Sequence, residues 1–340
     1  MSVLISCPLL GGSVVGGECR ITGPVIASDA IHGGPFAIEG TLRVMGTGSI
    51  TVPAAAGGNS LTLNVLGDFI VEVPTVTNRG RVSGDVSKGT ETGATITVNA
   101  GGDITRKGNG TTGGRVTSNQ SGGSCSAGHG GDISLLATGG NVTVAAGAPV
   151  TSIAKCHGGE IVIAAGLAAT IDGQVTSEGT TTVARGGPIT ILSECTLTVG
   201  DKGKVVSKGL DPGADLVHPE GGCQVLIQGI VSSTGPGHEK PGKNRCHFPN
   251  RLDKPLDAPA CVEVWSGGPL TVDTSGVHNG ETNVDTAQSG GVRCCAWPTC
   301  SRRVTSSSSG QPPLRSWCTG IRRSRPHSAP TSPSSPRQVG

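Results

Sequence analysis

The stretch from Gly158 to Gly179 reads GGEIVIAAGLAATIDGQVTSEG, and it determines the fold we expect. Three short runs of aliphatic or β-branched residues stand in it, Ile161–Ile163, Ala169–Asp172 and Gln174–Ser177. In each run, apolar residues alternate with small or polar ones, and glycine separates the runs. This pattern predicts three short β-strands joined by turns.

The same pattern recurs at a fixed interval. A Gly-Gly pair followed by alternating residues begins at Gly130, at Gly158 and at Gly186, so two successive intervals are 28 residues each (158 − 130 and 186 − 158). Further copies at less regular spacing begin at Gly33, Gly57, Gly221 and Gly267. A period in this range is typical of a solenoid, in which each repeat stacks on its neighbours.

Three strands per 28 residues predict one coil of a right-handed parallel β-helix. Each strand would then stack on its counterpart one coil away, at about 4.8 Å. Glycines would occupy the corners, where they adopt positive φ. An antiparallel sandwich is the alternative, but it does not require the same strand triplet to return at equal intervals. The residues predicted to face the interior are Ile133, Leu135, Ile161, Ile163, Ile189 and Ile191.

The composition agrees with a narrow aliphatic core. Of the 340 residues, 57 are Gly, and aromatic residues make up only 2%. Layered folds such as Rossmann-type sheets, TIM barrels and globin-like bundles depend on larger aromatic contributions and are disfavoured. The ordered strings of Ile, Val and Leu disfavour disorder, and no apolar run approaches the roughly 20 residues that a membrane helix needs.

The charge distribution divides the chain. All 24 acidic residues lie at or before Asp285, so the body is acidic and gives no reason to expect a nucleic-acid partner. Residues 291–340 contain eight Arg, many Ser and Pro, and no acid. We therefore expect an N-terminal strand or cap region (1–29), a β-helix with outer loop insertions (30–290) and a disordered tail (291–340). The tail is either genuine or the product of a shifted reading frame.

Two candidate site ladders follow from the repeat. His129, His157 and Arg185 each precede a Gly-Gly pair, as does His32, and Asp132 and Glu160 follow a pair at equal offset. Stacking would place the two histidines side by side, with the two carboxylates nearby. Such a set could perform acid–base chemistry. The alternative is that these residues cap turns and are solvated.

The chain has 12 Cys but no Cys-x-x-Cys pair in its body, so neither a metal nor a cofactor is expected. Disulfides fit an exported chain better. Cys246 with Cys261 and Cys125 with Cys156 are candidate pairs, although pairing does not follow from sequence. We expect Cys195 and Cys223 to be small core residues.

The Gly-Gly-x-Ile-x-Ile strand followed by x-Val-x-Ser-x-Gly resembles glycine-rich bacterial surface proteins with a pectin-lyase-like right-handed parallel β-helix, namely filamentous-haemagglutinin-type adhesins and autotransporter passengers. The resemblance covers roughly residues 30–290. It implies an exported, non-enzymatic, elongated rod at the cell surface or outside the cell. The expected partner is a host or matrix surface, with polysaccharide as one candidate. The first ten residues lack the basic segment of a signal peptide, so one interpretation is that the chain starts inside a longer protein.

The same fold also contains pectate lyases and polygalacturonases, which defines the enzymatic alternative. Of the polygalacturonase-type motifs only Gly128-His129-Gly130 is present, and no two acidic residues are adjacent. A lyase or hydrolase would have to use His129, His157, Asp132 and Glu160. Fold alone does not decide between these functions.

Overall fold

A computed structural model describes residues 7–55, 58–72, 81–86, 91–108, 114–122, 129–181, 184–209 and 221–231, together with the backbone of 6, 216–220, 232–234, 261–266, 270–272 and 291–296. By its contacts the chain divides into two units, Met1–Ser309 and Gly310–Gly340, and all described residues belong to the first. Within the described residues, helix is confined to α1 (Ser6–Leu9) and α2 (Asp29–His32). Residues 109–113, 123–128, 235–260 and 297–340, which include parts of the predicted β-helix region and most of the predicted tail, lie outside the described residues.

The strands form three sheets. Sheet A contains β1 (Ser13–Val15), β2 (Glu18–Ile21), β5 (Leu42–Val44), β8 (Phe69–Val71), β11 (Ile104–Arg106), β14 (Val142–Val144), β17 (Ala168–Ile171), β20 (Thr196–Val199), β23 (Gln224–Ile227) and β26 (Leu270–Val272). Sheet B contains β3 (Pro24–Ile26), β6 (Ser49–Thr51), β9 (Arg81–Ser83), β12 (Arg115–Thr117), β15 (Val150–Ala154), β18 (Gln174–Gly179), β21 (Lys204–Lys208) and β24 (Ile230–Thr234). Sheet C contains β4 (Phe36–Ile38), β7 (Ser60–Val65), β10 (Thr95–Ala100), β13 (Ile133–Ala137), β16 (Ile161–Ala165), β19 (Ile189–Ser193), β22 (Leu216–Gly221), β25 (Cys261–Ser266) and β27 (Gly291–Ala296).

Consecutive strands visit the three sheets in turn. From β4 to β24 the chain passes through sheets C, A and B and then repeats that order, and each strand from β4 to β23 pairs with the strand three positions later. We call three such consecutive strands a coil. Among the described strands every pair is parallel except β1 with β2, which is antiparallel. The chain is therefore an all-β, solenoid-like protein, and the antiparallel sandwich is wrong.

The predicted repeat and its interior residues are confirmed. Ile133 lies opposite Ile161, and Ile161 lies opposite Ile189, in parallel register. The alternation of strand residues turns every second side chain of sheet C inward. All six predicted interior residues are at most 1% exposed and belong to one hydrophobic cluster that extends from Cys7 to Val231.

Positive φ, which we expected at the corner glycines, is found at Gly33 and Gly34 but not in the three Gly-Gly pairs of the regular repeat, at 130–131, 158–159 and 186–187. They are needed because backbones approach closely where sheet B leads into sheet C. A Cβ on Gly159 would lie 2.5 Å from the carbonyl oxygen of Gly131, and a Cβ on Gly187 would lie 2.2 Å from that of Gly159.

A ladder of buried serines on sheet B holds these glycines. The Ser177 hydroxyl donates to the Gly159 carbonyl oxygen at 2.8 Å and accepts from the Gly187 amide at 2.7 Å. Ser152 and Ser207 are stacked on Ser177 one coil away on either side, and all three are fully buried. The hydroxyls satisfy backbone groups that would otherwise be left unpaired at the corner.

The N-terminal end is built differently. The Asp29 carboxylate of α2 accepts hydrogen bonds from the Ser60 hydroxyl and from the amide and hydroxyl of Thr62, at 2.8–2.9 Å. Both residues belong to β7 and precede the part of that strand, Leu63–Val65, that pairs with β4. His32, which we aligned with His129, is instead the last residue of α2, and its Nδ1 lies 3.0 Å from the Ser28 carbonyl oxygen. That alignment is wrong because a helix, not a strand turn, precedes β4.

Candidate functional site

The structure brings His129 and His157 together as the repeat predicts. Each precedes the Gly-Gly pair that leads into a strand of sheet C, and the Gly130 amide donates to the His157 carbonyl oxygen at 2.8 Å. The two rings are stacked, with centroids 5.0 Å apart and planes inclined by 16°. His129 is exposed and His157 is half-buried. The two rings therefore lie at the outer surface rather than in the core.

Arg185, the third residue of this ladder, determines which ring nitrogen of His157 carries the proton in the neutral state. His157 pairs with Arg185 across a parallel bridge, and the Arg185 amide donates to His157 Nδ1 at 3.3 Å. In the neutral ring that contact places the proton on Nε2. The Nε2 atom of His157 is then a hydrogen-bond donor in the neutral state.

Asp132 and Glu160 form the second predicted ladder. The Glu160 amide donates to Asp132 Oδ1 at 2.8 Å, and both residues are exposed. Although Glu160 is exposed as a residue, partial desolvation of its carboxyl group, followed by the nearby charge of Asp132, raises the pKa of Glu160. A carboxyl group with a raised pKa holds its proton to higher pH, which is what a general acid requires.

The two ladders are not joined into a catalytic arrangement through His129. In the described part of the chain, no hydrogen bond or ion pair links His129 to Asp132 or Glu160. In the next coil Pro188 stands at the position of Glu160, so the acidic ladder ends after two coils. The arrangement presents two imidazoles and two carboxylates on one outer edge.

The cysteines pair in ways that the sequence indicated only in part. Cys7 and Cys19 form a disulfide across the turn into β2, which the sequence analysis missed. Cys156 is disulfide-bonded, and its partner lies outside the described residues, as do Cys125 and Cys246. Of Cys261 only the backbone is described. The described residues contain no group of three or more His, Cys, Asp or Glu that could hold a metal ion.

Cys195 and Cys223 are not core residues. Cys195 is half-buried, Cys223 is exposed, and both are free thiols. The prediction is wrong because each cysteine lies in the turn before a sheet A strand, outside the alternation that turns side chains inward. The spacing of the two cysteines in sequence, which equals one repeat, could have predicted that they lie next to each other.

Arg106, which we did not predict as a site residue, is the one charged side chain that the described structure buries completely. It stands in register between Val71 and Val144, where the other rungs are aliphatic. Its Nη2 donates to the carbonyl oxygens of Gly114 and Pro149, while Nε and Nη1 have no partner among the described residues. Burial lowers the pKa of Arg106 to about 9. The alternation Ile104-Thr-Arg106 places it inward.

The outer face of sheet A carries a chain of ion pairs. Arg43 contacts Glu18 at 2.9 Å and Glu72 at 2.7 Å, and Lys107 contacts Glu72 at 3.1 Å. Hydrogen bonding from Arg43 lowers the pKa of Glu18. These residues come from four successive coils, so the network runs along the stack.

Comparison of the chain with models of protein families, with curated proteins and with solved structures yields no match in any of the three. In the portion of the chain that the structure describes, no helix is long and apolar enough to cross a membrane.

Proposed function

We propose that the coils close into a right-handed parallel β-helix and that the chain serves as a non-enzymatic, exported, elongated adhesion or scaffold rod at a surface. The observation that carries this proposal is the parallel register of the three sheets, continuous from β2 onward, around one aliphatic cluster. Parallel crossover connections are right-handed in nearly all proteins, which supports the proposed hand. A stack of this kind grows along one direction by adding coils.

Disulfides support export. The pair Cys7–Cys19 is formed at the N-terminal end of the stack, and Cys156 is bonded as well. Structural disulfides persist in oxidising compartments and are rare in the reducing cytosol. Their presence agrees with a location at the cell surface or outside the cell.

Lateral ladders support a mechanical role. The ion pairs from Glu18 to Lys107 connect four coils on sheet A. On sheet C the side-chain amide of Asn99 donates through Nδ2 to Asn64 Oδ1 at 2.9 Å. Before β14 the side-chain amide of Asn141 donates through Nδ2 to Asp103 Oδ1 at 3.1 Å. Each ladder binds one coil to the next without depending on the core. A rod that displays loops at a distance from its base benefits from such cross-links.

The test combines location, shape and binding. We expect the chain, expressed in its native host, to be recovered from the surface or secreted fraction and to have a frictional ratio well above that of a globular protein. The purified chain should bind to at least one coat among matrix proteins, host cells and acidic polysaccharides. A variant that does not fold, such as Ile189→Asp, should not bind. Recovery from the cytosol with Cys7 and Cys19 reduced would overturn the proposal.

The second candidate function is that of a polysaccharide lyase or glycoside hydrolase, and the raised pKa of Glu160 beside Asp132 favours it. In this alternative Glu160 supplies a proton and an exposed imidazole of His129 accepts one. Pectic and other uronic polysaccharides are the substrates to test, with release of reducing ends as the signal. Turnover that His129→Ala and Glu160→Gln abolish, and that the surface control Glu194→Gln retains, would establish the enzyme and contradict the non-enzymatic rod.

A further inference from the structure

Cys195 and Cys223 occupy the same position in two successive coils. Each directly precedes a sheet A strand, Cys195 before β20 and Cys223 before β23, and these strands pair with Thr196 opposite Gln224. The Cys223 amide donates to the Cys195 carbonyl oxygen at 2.7 Å, so the ladder bonding extends to the cysteines themselves. Adjacent parallel strands lie about 4.8 Å apart, which falls within the Cα separation that a disulfide spans.

The two side chains point at each other. Their Sγ atoms lie 2.6 Å apart. This is inside the contact distance of two unbonded sulfur atoms and about half an ångström longer than a disulfide bond. Joining the sulfurs therefore requires a small movement of two side chains and no change in the register of the strands.

The pair is open to reagents. Cys195 is half-buried and Cys223 is exposed, in contrast to the enclosed Cys156, which is 1% exposed. The hydrogen bond between the two thiols raises the pKa of the Cys223 thiol, so exchange at this cysteine is faster at alkaline pH, where more thiolate is present. Accessible thiols that lie side by side are the ones that exchange with disulfides in solution.

We propose that Cys195 and Cys223 form a disulfide that joins two successive coils on the outside of the stack. The oxidant is a disulfide such as glutathione disulfide. One cysteine thiolate attacks a sulfur of the oxidant and releases a thiolate, and the second cysteine thiolate then attacks the mixed disulfide and releases the other. The protein loses two electrons and two protons, the oxidant gains the two electrons, and one S–S bond replaces another.

This inference is independent of export and of adhesion, because it depends only on the stacking of two coils. The two cysteines are 28 positions apart in sequence (223 − 195), so the bond closes a loop of one coil. It therefore adds a covalent link to the ladder bonds between β20 and β23 and restricts the separation of these two coils on unfolding.

The chain itself allows an unambiguous assignment of the bond. Cleavage after Arg185 and Lys202 gives a peptide, residues 186–202, whose only cysteine is Cys195. Cleavage after Lys208 and Lys243 gives residues 209–243, whose only cysteine is Cys223. The experiment incubates the full chain with glutathione disulfide, blocks remaining thiols by alkylation, digests with trypsin without reduction and measures peptide masses.

We expect the two peptides to appear joined, at a mass two hydrogens below their sum, and to separate after reduction. Recovery of both peptides as singly alkylated species, or of each joined to a different cysteine, would overturn the proposal. So would a complex of the reduced pair with a soft metal ion that survives the glutathione treatment.

Stability supplies a second readout. Under oxidising conditions we expect Cys195→Ser, Cys223→Ser and the double variant to lower the midpoint of thermal unfolding equally, by about 5 °C or more. Under reducing conditions the parent and the three variants should have nearly equal midpoints of thermal unfolding, because no bond then joins positions 195 and 223 in any of them. Single variants whose effects add in the double variant would show that the cysteines act separately and would contradict the bond.

Discussion

The coil β10–β12 and the coil that follows it, β13–β15, share one register but bury different residues. In the later coil Val144 completes an aliphatic rung between Arg106 and Ile171, whereas in the earlier coil Arg106 occupies that rung. The strands pair equally well on both sides of the arginine. The difference shows that backbone ladders and the remaining rungs set the register, and that the stack accommodates one charged rung within it.

The largest effect on stability is expected when a charge is introduced into one of the aliphatic rungs of the core. Ile189→Asp places a carboxylate at a fully buried position in register with Ile161. We expect a loss of more than about 4 kcal/mol in the free energy of unfolding, because a buried charge without a partner is strongly unfavourable. Denaturant titration followed by circular dichroism measures it.

Thr190→Asp is the control for that change, because Thr190 is the next residue on the same strand and faces outward. It should cost less than about 1 kcal/mol. Equal losses in the two variants would mean that Ile189 does not face the core, and the comparison of the two coils would fail.

The second test concerns the close approach at the corner. In Gly159→Ala the new Cβ would lie 2.5 Å from the Gly131 carbonyl oxygen, which belongs to the backbone and cannot move alone. We expect a loss of about 2–4 kcal/mol. Gly23→Ala is the matched control, because a Cβ there meets no atom within 4 Å and the residue does not have positive φ. An unchanged melting curve for Gly159→Ala would show that the corner has room.

The third test makes the irregular coil regular. Arg106→Met keeps the length of the side chain but removes a buried charge that has two nitrogens without partners in the described structure. We expect a gain of about 1–4 kcal/mol in the free energy of unfolding at pH 7. Arg115→Met, at an exposed position of the same coil, should change little. A loss in Arg106→Met would mean that its bonds to Gly114 and Pro149 outweigh desolvation.

The pH dependence of the third test has a definite sign. The pKa of Arg106 in the folded state, about 9, lies below its value in the unfolded chain. The unfolded state therefore binds more protons above pH 9, and the stability of the parent rises with pH there. The advantage of Arg106→Met should accordingly be full at pH 7 and shrink as the pH rises above 9.

The smallest effect concerns the outer edge. The folded state raises the pKa of Glu160, so ionisation of this carboxyl disfavours folding. Glu160→Gln should stabilise the chain at pH 7 by a few tenths of a kcal/mol, since the group is exposed, and should have no effect near pH 3, where the carboxyl is protonated in both states. Thermal melts of the parent and of Glu160→Gln at the two pH values measure the gain, and an equal gain at both would contradict it.

The repeat, the strand triplet and the interior isoleucines could be predicted because each depends on residues close in sequence. The stacked histidines at 129 and 157 and the paired carboxylates at 132 and 160 followed from equal spacing. His32 could not be placed in the same way. It has the same Gly-Gly neighbour, yet Ser28 caps a helix in front of it and takes the chain out of the repeat.

The sequence by itself determined that the chain forms short strands with one apolar face, separated by turns, and that this set of strands recurs. The reason is that a strand exposes its two faces at a period of two residues, whatever it packs against. Only the tertiary structure decided which residues meet between coils. The interval between stacked partners is 28 residues from Ile161 to Ile189 but 37 from Ile96 to Ile133 (133 − 96), so spacing alone does not identify a partner. The burial of Arg106, the contact of Cys195 with Cys223 and the closeness of Gly159 to Gly131 all depend on that stacking, since each is a contact between backbones or side chains that the chain brings together only after a full coil.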